Sequence, residues 1–388
     1  MAGTLFRGAD IFDGDRLGPG SLLVEAGRIS AILPPDTAVP GARLVELDGG
    51  TLAPGFVDLQ VNGGGGVMFN DAPGVATLAR MAEAHAGLGT LAFLPTLITD
   101  TPEITRAAVD AVARAVAEGI PGIAGLHLEG PHLSLARKGA HDPALIRPMT
   151  GDDLSFLLEA ARKLPRLLVT IAPESVAAEQ ISAMAKAGIM VSLGHTDGGF
   201  DTCRAGFAAG ARVVTHLFNA MSQLGNREPG LVGAALATGA VSAGLIADGI
   251  HVHAATIRAA LAAKAGPGGL FLVTDAMAPA GTDMAAFRLN GREIRREGGR
   301  LTLAEGTLAG ADLEMARALA VLTRDVGVAL DRALAMATSI PARVLGRGDR
   351  HGTLAPGRAA DFVHLQPDLS LAAVWRGGER MTVLGAGG

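Results

Sequence analysis

The chain contains no tyrosine, a single cysteine and a single tryptophan. The first absence excludes any mechanism that needs a phenol. Cys203, alone, makes no intramolecular disulfide, and in its Ala-rich helical setting it reads as a small buried hydrophobe rather than a nucleophile. Charged residues are only 18% of the chain, and 33 Lys plus Arg against 38 Asp plus Glu leave a net charge of −5. The basic balance expected of a nucleic-acid binder is therefore missing. The longest uncharged stretch, Pro229 to Ala247, is broken by Gly230, Gly233, Gly239 and Gly244, so it reads as a helix followed by a strand and not as a membrane span. Met1 to Asp10 carries Arg7 and Asp10 where a secretory signal is apolar, which with the lone cysteine predicts a cytoplasmic protein.

What is present is a globular composition: 388 residues, 49% of them hydrophobic, with 54 glycines. That length suits two or three domains, or one large barrel with an addition. From Gly55 onward, apolar runs alternate with Ala-rich helical stretches, the pattern of βαβ units around a parallel sheet. Eight strand candidates can be counted: Gly55–Val61, Leu91–Leu97, Ile123–Leu128, Leu167–Ile171, Ile189–Leu193, Arg212–Thr215, Ser242–Ala247 and Leu270–Thr274. A (β/α)8 TIM-like barrel over residues 54–352 is the economical closure, with a doubly wound open sheet as the alternative. Residues 1–53 and 353–388 have short β segments without helical period, and are expected to combine as a small β-sandwich domain. Within the barrel region, 287–303 reads as an inserted hairpin with turns at Asn290-Gly291 and Gly298-Gly299, followed by helices near Asp312–Val326 and Leu330–Leu345.

Barrel enzymes place their chemistry at the C-terminal ends of the strands. Strand three ends in His127-Leu128-Glu129-Gly130-Pro131, strand five in Gly194-His195-Thr196, strand six in His216-Leu217-Phe218-Asn219, and strand eight in Thr274-Asp275-Ala276. A carboxylate and two imidazoles converging from different strands can hold a divalent ion and leave a position open for water. Asp275, from another strand, is then the natural proton carrier. One such histidine alone is commonly structural, but four reactive groups at equivalent depth are hard to explain by packing. His85, His351 and His364 lack such positions, while His127, His132 and His253 read as surface or supporting residues. Gly63 to Gly66 lacks the Gly-Lys-Ser/Thr of a phosphate loop and is expected to form a tight turn near the site. Arg292, Arg295, Arg296 and Arg300 are expected on a solvated face.

Taken together, these segments resemble the amidohydrolase superfamily, and within it the amino-sugar-phosphate deacetylases. The resemblance rests on Pro54-Gly55-Phe56-Val57-Asp58, His127 to Pro131, Lys138-Gly139-Ala140-His141, Gly194 to Thr196 and His216 to Met221. Arg227-Glu228-Pro229-Gly230, Ala247 to His251, Val273 to Ala276 and Gly352 to Gly357 extend it almost to the end of the chain. It implies hydrolysis of the acetamide of N-acetyl-D-glucosamine 6-phosphate to D-glucosamine 6-phosphate and acetate, in a homodimer. It further implies that Glu129, His195 and His216 are metal ligands and that Asp275 is the acid/base, taking a proton from metal-bound water and giving it to the departing amine. His141 would be a second polariser of the acetyl oxygen. Substrate contacts would be Ala140, His141, Asn219, Ala220, Arg227, His251, Leu308, Ala309 and Gly310. Arg227, whose planar fork suits a phosphate, and His251 would act across the dimer.

Many superfamily members carry His-x-His on the first strand for a second metal, and here those positions are Gln60 and Asn62. Neutral amides are poor ligands for zinc or iron, so one divalent ion per subunit is expected, with zinc favoured and iron, cobalt or manganese as alternatives. Action on N-acetylgalactosamine 6-phosphate or a cyclic amide is the nearest alternative activity. A non-catalytic binding protein on the same fold is a further one, opposed by the presence of all four site residues.

Overall fold

The computed structural model describes residues 3–384. Eight strands in it form one parallel sheet in strictly sequential order: β1 (Phe56–Val61), β2 (Thr90–Ile98), β3 (Leu126–Glu129), β4 (Leu167–Ile171), β5 (Met190–Leu193), β6 (Val213–Val214), β7 (Ser242–Leu245) and β8 (Leu270–Leu272). Sequential order is that of a barrel, and it excludes the doubly wound sheet, whose strand order reverses. These strands are buried throughout except for half-buried Met190, which is why they read as nearly continuous apolar runs.

Between β1 and β8 there is no regular ladder. The seam is closed instead by backbone bonds from Asn62 N to Ala276 O at 2.8 Å and from Asp275 N to Gln60 O at 3.1 Å. The fully buried Asp58 carboxylate adds to it, accepting from the Thr274 backbone N–H at 3.1 Å, the Thr274 hydroxyl, and Gln60 N at 3.1 Å.

Strands from both terminal stretches form a four-stranded and a six-stranded sheet. Thr51–Pro54 lies in the six-stranded sheet beside Phe362–Leu365 and leads directly into β1. Phe6, Phe362 and Trp375 centre the separate apolar cluster between the sheets, the last two rings stacked at 4.9 Å with Phe6 edge-on to both. Residues 1–2 and 385–388, at the ends of the expected terminal unit, lie outside the described residues.

Two expectations change in detail. The inserted hairpin is a three-stranded meander, Ala286–Leu289, Arg292–Glu297 and Arg300–Thr302, with turns where the Asn-Gly and Gly-Gly pairs fall. The helix expected over Leu330–Leu345 is two helices, Leu330–Ala337 and Ser339–Val344, divided at Thr338. Pro341 explains the break, because its ring would clash with the carbonyl four residues earlier, that of Ala337, and its nitrogen has no hydrogen to donate there. No helix among the described residues is long and apolar enough to cross a membrane.

Candidate active site

At the C-terminal mouth of the barrel, Glu129 ends β3, His195 lies two residues beyond β5, His216 two beyond β6, and Asp275 three beyond β8. His195, His216 and Asp275 all leave their strands with left-handed backbone, at φ 47°, 28° and 52°. This conformation is uncommon outside glycine. All four residues are buried.

The donor atoms converge closely. Glu129 Oε1 lies 3.2 Å from His195 Nε2 and 3.0 Å from His216 Nε2, and the two Nε2 atoms are 3.1 Å apart. His195 Nδ1–H donates to the Arg137 carbonyl at 2.8 Å, so its Nε2 presents a lone pair. A carboxylate oxygen and two ring nitrogens face one another at this spacing only if something positive lies between them. Burial alone would make His216 less basic, but Glu129 raises its pKa above the ordinary histidine value. Burial would likewise raise the Glu129 pKa, but its bonds to His195 and His216 hold it well below the usual carboxylate range. Corners of a tetrahedron around a divalent ion with bonds of about 2.0–2.1 Å are separated by roughly 3.3 Å, so the three atoms fit a metal site. His141 Nε2 comes within 3.9 Å of Glu129 Oε2, which makes His141 a fourth candidate donor.

Asp275 is held by two amides. Gln60 Nε2 donates to its Oδ1 at 3.1 Å, and Asn62 Nδ2 to the same oxygen at 2.6 Å, leaving Oδ2 with its acceptor capacity. Gln60 also donates to Glu129 Oε1 at 3.1 Å, linking the two carboxyl groups. Burial, with the charge of Glu129 added, pushes the Asp275 pKa up to about 6.

A cavity of about 520 Å³ opens over these groups. Of the substrate contacts expected from the sequence, Ala140, His141, Asn219, Ala220, His251, Leu308 and Gly310 line it. Ala309 is buried without lining it, and Arg227 is exposed on the Gln223–Glu228 loop, outside its own chain's cavity. His251 is oriented by the buried Asp248, whose Oδ2 accepts from Nδ1–H at 2.6 Å. Sequence reasoning missed Asp248 in this role, and also Arg137 and Met277 as lining residues; Arg137 and Met277 stand next to motif residues without forming part of any pattern.

Three of the remaining histidines are held by structural bonds: His127 to Thr96 and Thr170 inside the barrel, His85 to the Gly63 carbonyl and His364 to the Gly49 carbonyl. The glycine run is tight against the helix Val75–Gly87, since a Cβ on Gly64 would lie 2.6 Å from His85 Nε2. Of the meander's arginines, Arg295 and Arg300 are exposed as expected, while Arg292 and Arg296 are not simply solvated. Arg292 donates to the Ala140 carbonyl, and Arg296 bonds Asp312 at 2.9 Å and the Thr282 carbonyl at 2.6 Å.

A parallel eight-stranded barrel with an Asp, a Glu and paired histidines at its mouth defines a class of metal-assisted hydrolases. The sequence pattern of the Amidohydrolase family matches residues 51–385, and the chain belongs to that family. It is 46% identical over 333 residues, 86% of this chain and 84% of the relative, to an N-acetylgalactosamine-6-phosphate deacetylase of Shewanella sp. (strain ANA-3). It is 36% identical to the human N-acetylglucosamine-6-phosphate deacetylase over 96% of this chain and 94% of that one. The crystal structure of N-acetylglucosamine-6-phosphate deacetylase from Pasteurella multocida superposes with a TM-score of 0.92 at 34% identity, covering 97% of this chain and 99% of that one.

Proposed function

We propose that this chain is a metal-dependent deacetylase that hydrolyses the acetamide of N-acetyl-D-glucosamine 6-phosphate to D-glucosamine 6-phosphate and acetate. The observation that carries the reading is the approach of Glu129 Oε1, His195 Nε2 and His216 Nε2 to within 3.0–3.2 Å of one another, with Asp275 tied to Glu129 through Gln60. These three residues would hold one divalent ion, zinc suiting the donor set best. Such an ion, when bound, makes water nucleophilic near neutral pH and polarises a carbonyl oxygen.

The chain's own groups account for the rest. Asp275 Oδ1 is fixed by two amide donors, so Oδ2 accepts the proton released as water attacks the acetyl carbon and returns it to the nitrogen as the C–N bond breaks. His141 donates to the acetyl oxygen as charge gathers on it. Asn219, Ala220, His251 and the 306–310 loop line the cavity where the sugar and its phosphate would lie. Gln60 and Asn62, engaged with carboxylates through their NH2 groups, support a single metal per chain. We place the enzyme in the cytoplasm, on the single buried cysteine, and in a homodimer that supplies Arg227 to the neighbouring site.

A second reading, deacetylation of N-acetylgalactosamine 6-phosphate, is favoured by the 46% identity to the Shewanella enzyme. Acetate release from both epimeric phosphates by protein reconstituted with Zn²⁺, run beside metal analysis, decides between them. The expected result is one metal per chain, chelator-sensitive turnover and a higher kcat/KM for the gluco epimer. A higher value for the galacto epimer establishes the second reading, and no chelator-sensitive turnover of either phosphate ends both.

A further inference from the structure

Four donors surround the candidate metal position, Glu129, His195, His216 and His141, and the hydrogen bonds behind the rings separate them chemically. A neutral imidazole carries its proton on one nitrogen and a lone pair on the other, so the partner of one nitrogen decides what the other can do. His195 Nδ1 faces the Arg137 carbonyl, which only accepts, so its proton is on Nδ1 and Nε2 is free to ligate. His141 is the reverse. Its Nδ1 lies 3.3 Å from the backbone N–H of Thr99, which only donates, and 2.8 Å from the Thr99 hydroxyl. With Nδ1 accepting, the ring proton sits on Nε2, the atom 3.9 Å from Glu129 Oε2 at the cavity. A metal bond from that atom would require an imidazolate.

We propose that Thr99 is a positioning residue that fixes His141 in the Nε2–H tautomer, which keeps it out of the metal coordination sphere and makes it a neutral hydrogen-bond donor to the substrate carbonyl. The donor role rests on the hydrolytic reading above, whereas the tautomer does not. Thr99 follows directly on β2 and is 1% exposed, so no solvent competes for its hydroxyl. Gly130 makes room for it, since a Cβ there would come to 2.2 Å from Thr99 Oγ1. The hydroxyl has a single hydrogen, and it lies closer to Nδ1, at 2.8 Å, than to the Glu129 carbonyl, at 3.3 Å, so the hydrogen goes to the ring.

Nitrogen-15 NMR of the histidine rings, in protein reconstituted with Zn²⁺ and with His141 assigned by its loss in His141→Asn, tests this without substrate. The expected spectrum shows His141 with Nε2 protonated and Nδ1 bare, and metal-shifted Nε2 signals from His195 and His216. Protonated Nδ1, or a metal-shifted Nε2 on His141, overturns the proposal. Thr99→Val should lower kcat by about 10–100-fold, the usual effect of losing a supporting hydrogen bond, while KM and zinc content change little. Thr99→Ser, which keeps the hydroxyl, should recover most of that loss. An unaltered kcat in Thr99→Val, or a loss traced to lost zinc or a lowered Tm, assigns Thr99 a merely structural place. Correct ring spectra with no turnover of either sugar phosphate would leave the tautomer standing and remove the hydrolytic reading.

Discussion

Left-handed backbone at His195, His216 and Asp275 is where the barrel commits its side chains to the mouth: a strand continued in extended form would send successive residues alternately inward and outward. Such conformations cost free energy in non-glycine residues and persist where the surroundings fix them, and here each follows a buried strand. Asp275 shows what this placement achieves. Its backbone N–H is bonded to the Gln60 carbonyl and its Oδ1 to the Gln60 and Asn62 amides, so one oxygen is anchored and the other is left for proton transfer. Asp275→Asn keeps the shape but removes both base and acid, and kcat should fall by at least roughly 10²–10⁴-fold, the usual contribution of general acid–base catalysis. Metal content should remain near wild type, because Glu129, His195 and His216 are untouched, and KM should change far less than kcat. Loss of metal in this variant would make Asp275 a ligand instead, and retention of more than about a tenth of kcat would leave the mechanism without its base.

At the scale of elements, the weak place in the barrel is the seam between β1 and β8, where Asp58 stands in for a missing ladder. Asp58→Ala would strip the acceptor from buried donors on Gln60 and Thr274, and should destabilise the fold by about 2–4 kcal/mol in urea unfolding. Burial pushes the Asp58 pKa up to about 7, overriding the bonds from Thr274 and Gln60 that favour the charged form. The folded state therefore holds this proton more tightly than the unfolded chain, whose carboxyl titrates near 3.9. The contribution of Asp58 is complete below that value and declines as pH rises through about 7, so the gap between wild type and Asp58→Ala should be wider at pH 5 than at pH 8. A gap that widens with pH would show Asp58 to be charged in the fold. The strands on either side of this seam were legible because parallel strands buried on both faces must be apolar throughout. Glu129, His195, His216 and Asp275 were legible because they interrupt that pattern at one depth. Thr99 was not, because a threonine ending an apolar run looks like any strand end, and its role depends on a ring 42 residues away. The left-handed turns were equally hidden, since nothing in the residue type of a histidine announces a positive φ.

On the scale of the whole molecule, the question is where the phosphate finds its charge. Arg137, in the cavity wall, is paired with Asp197 at 2.8 Å, and Arg292 is spent on the Ala140 carbonyl. Arg227 stands exposed on a loop that also carries Leu224 at 58% exposure, on the same stretch of chain as the cavity residues Asn219 and Ala220. A two-fold interface uses the same patch on both copies, so a loop projecting from one site can complete the other. On that arrangement Arg227→Ala should raise KM for the phosphorylated sugar by roughly tenfold to a hundredfold, the loss of a charge-assisted bond of about 1.5–3 kcal/mol, and leave an unphosphorylated analogue nearly unaffected. Mixing separates the two geometries. In a hybrid of Arg227→Ala with Asp275→Asn, a site acting across the interface takes Asp275 from one copy and Arg227 from the other and is whole, while the second site carries both defects. Random reassociation of equal amounts makes about half the dimers hybrid with one working site in two, so about a quarter of wild-type activity should return when substrate is kept below KM. If each chain uses its own Arg227, every site in the mixture carries one defect, and no activity beyond the mean of the two variants will appear.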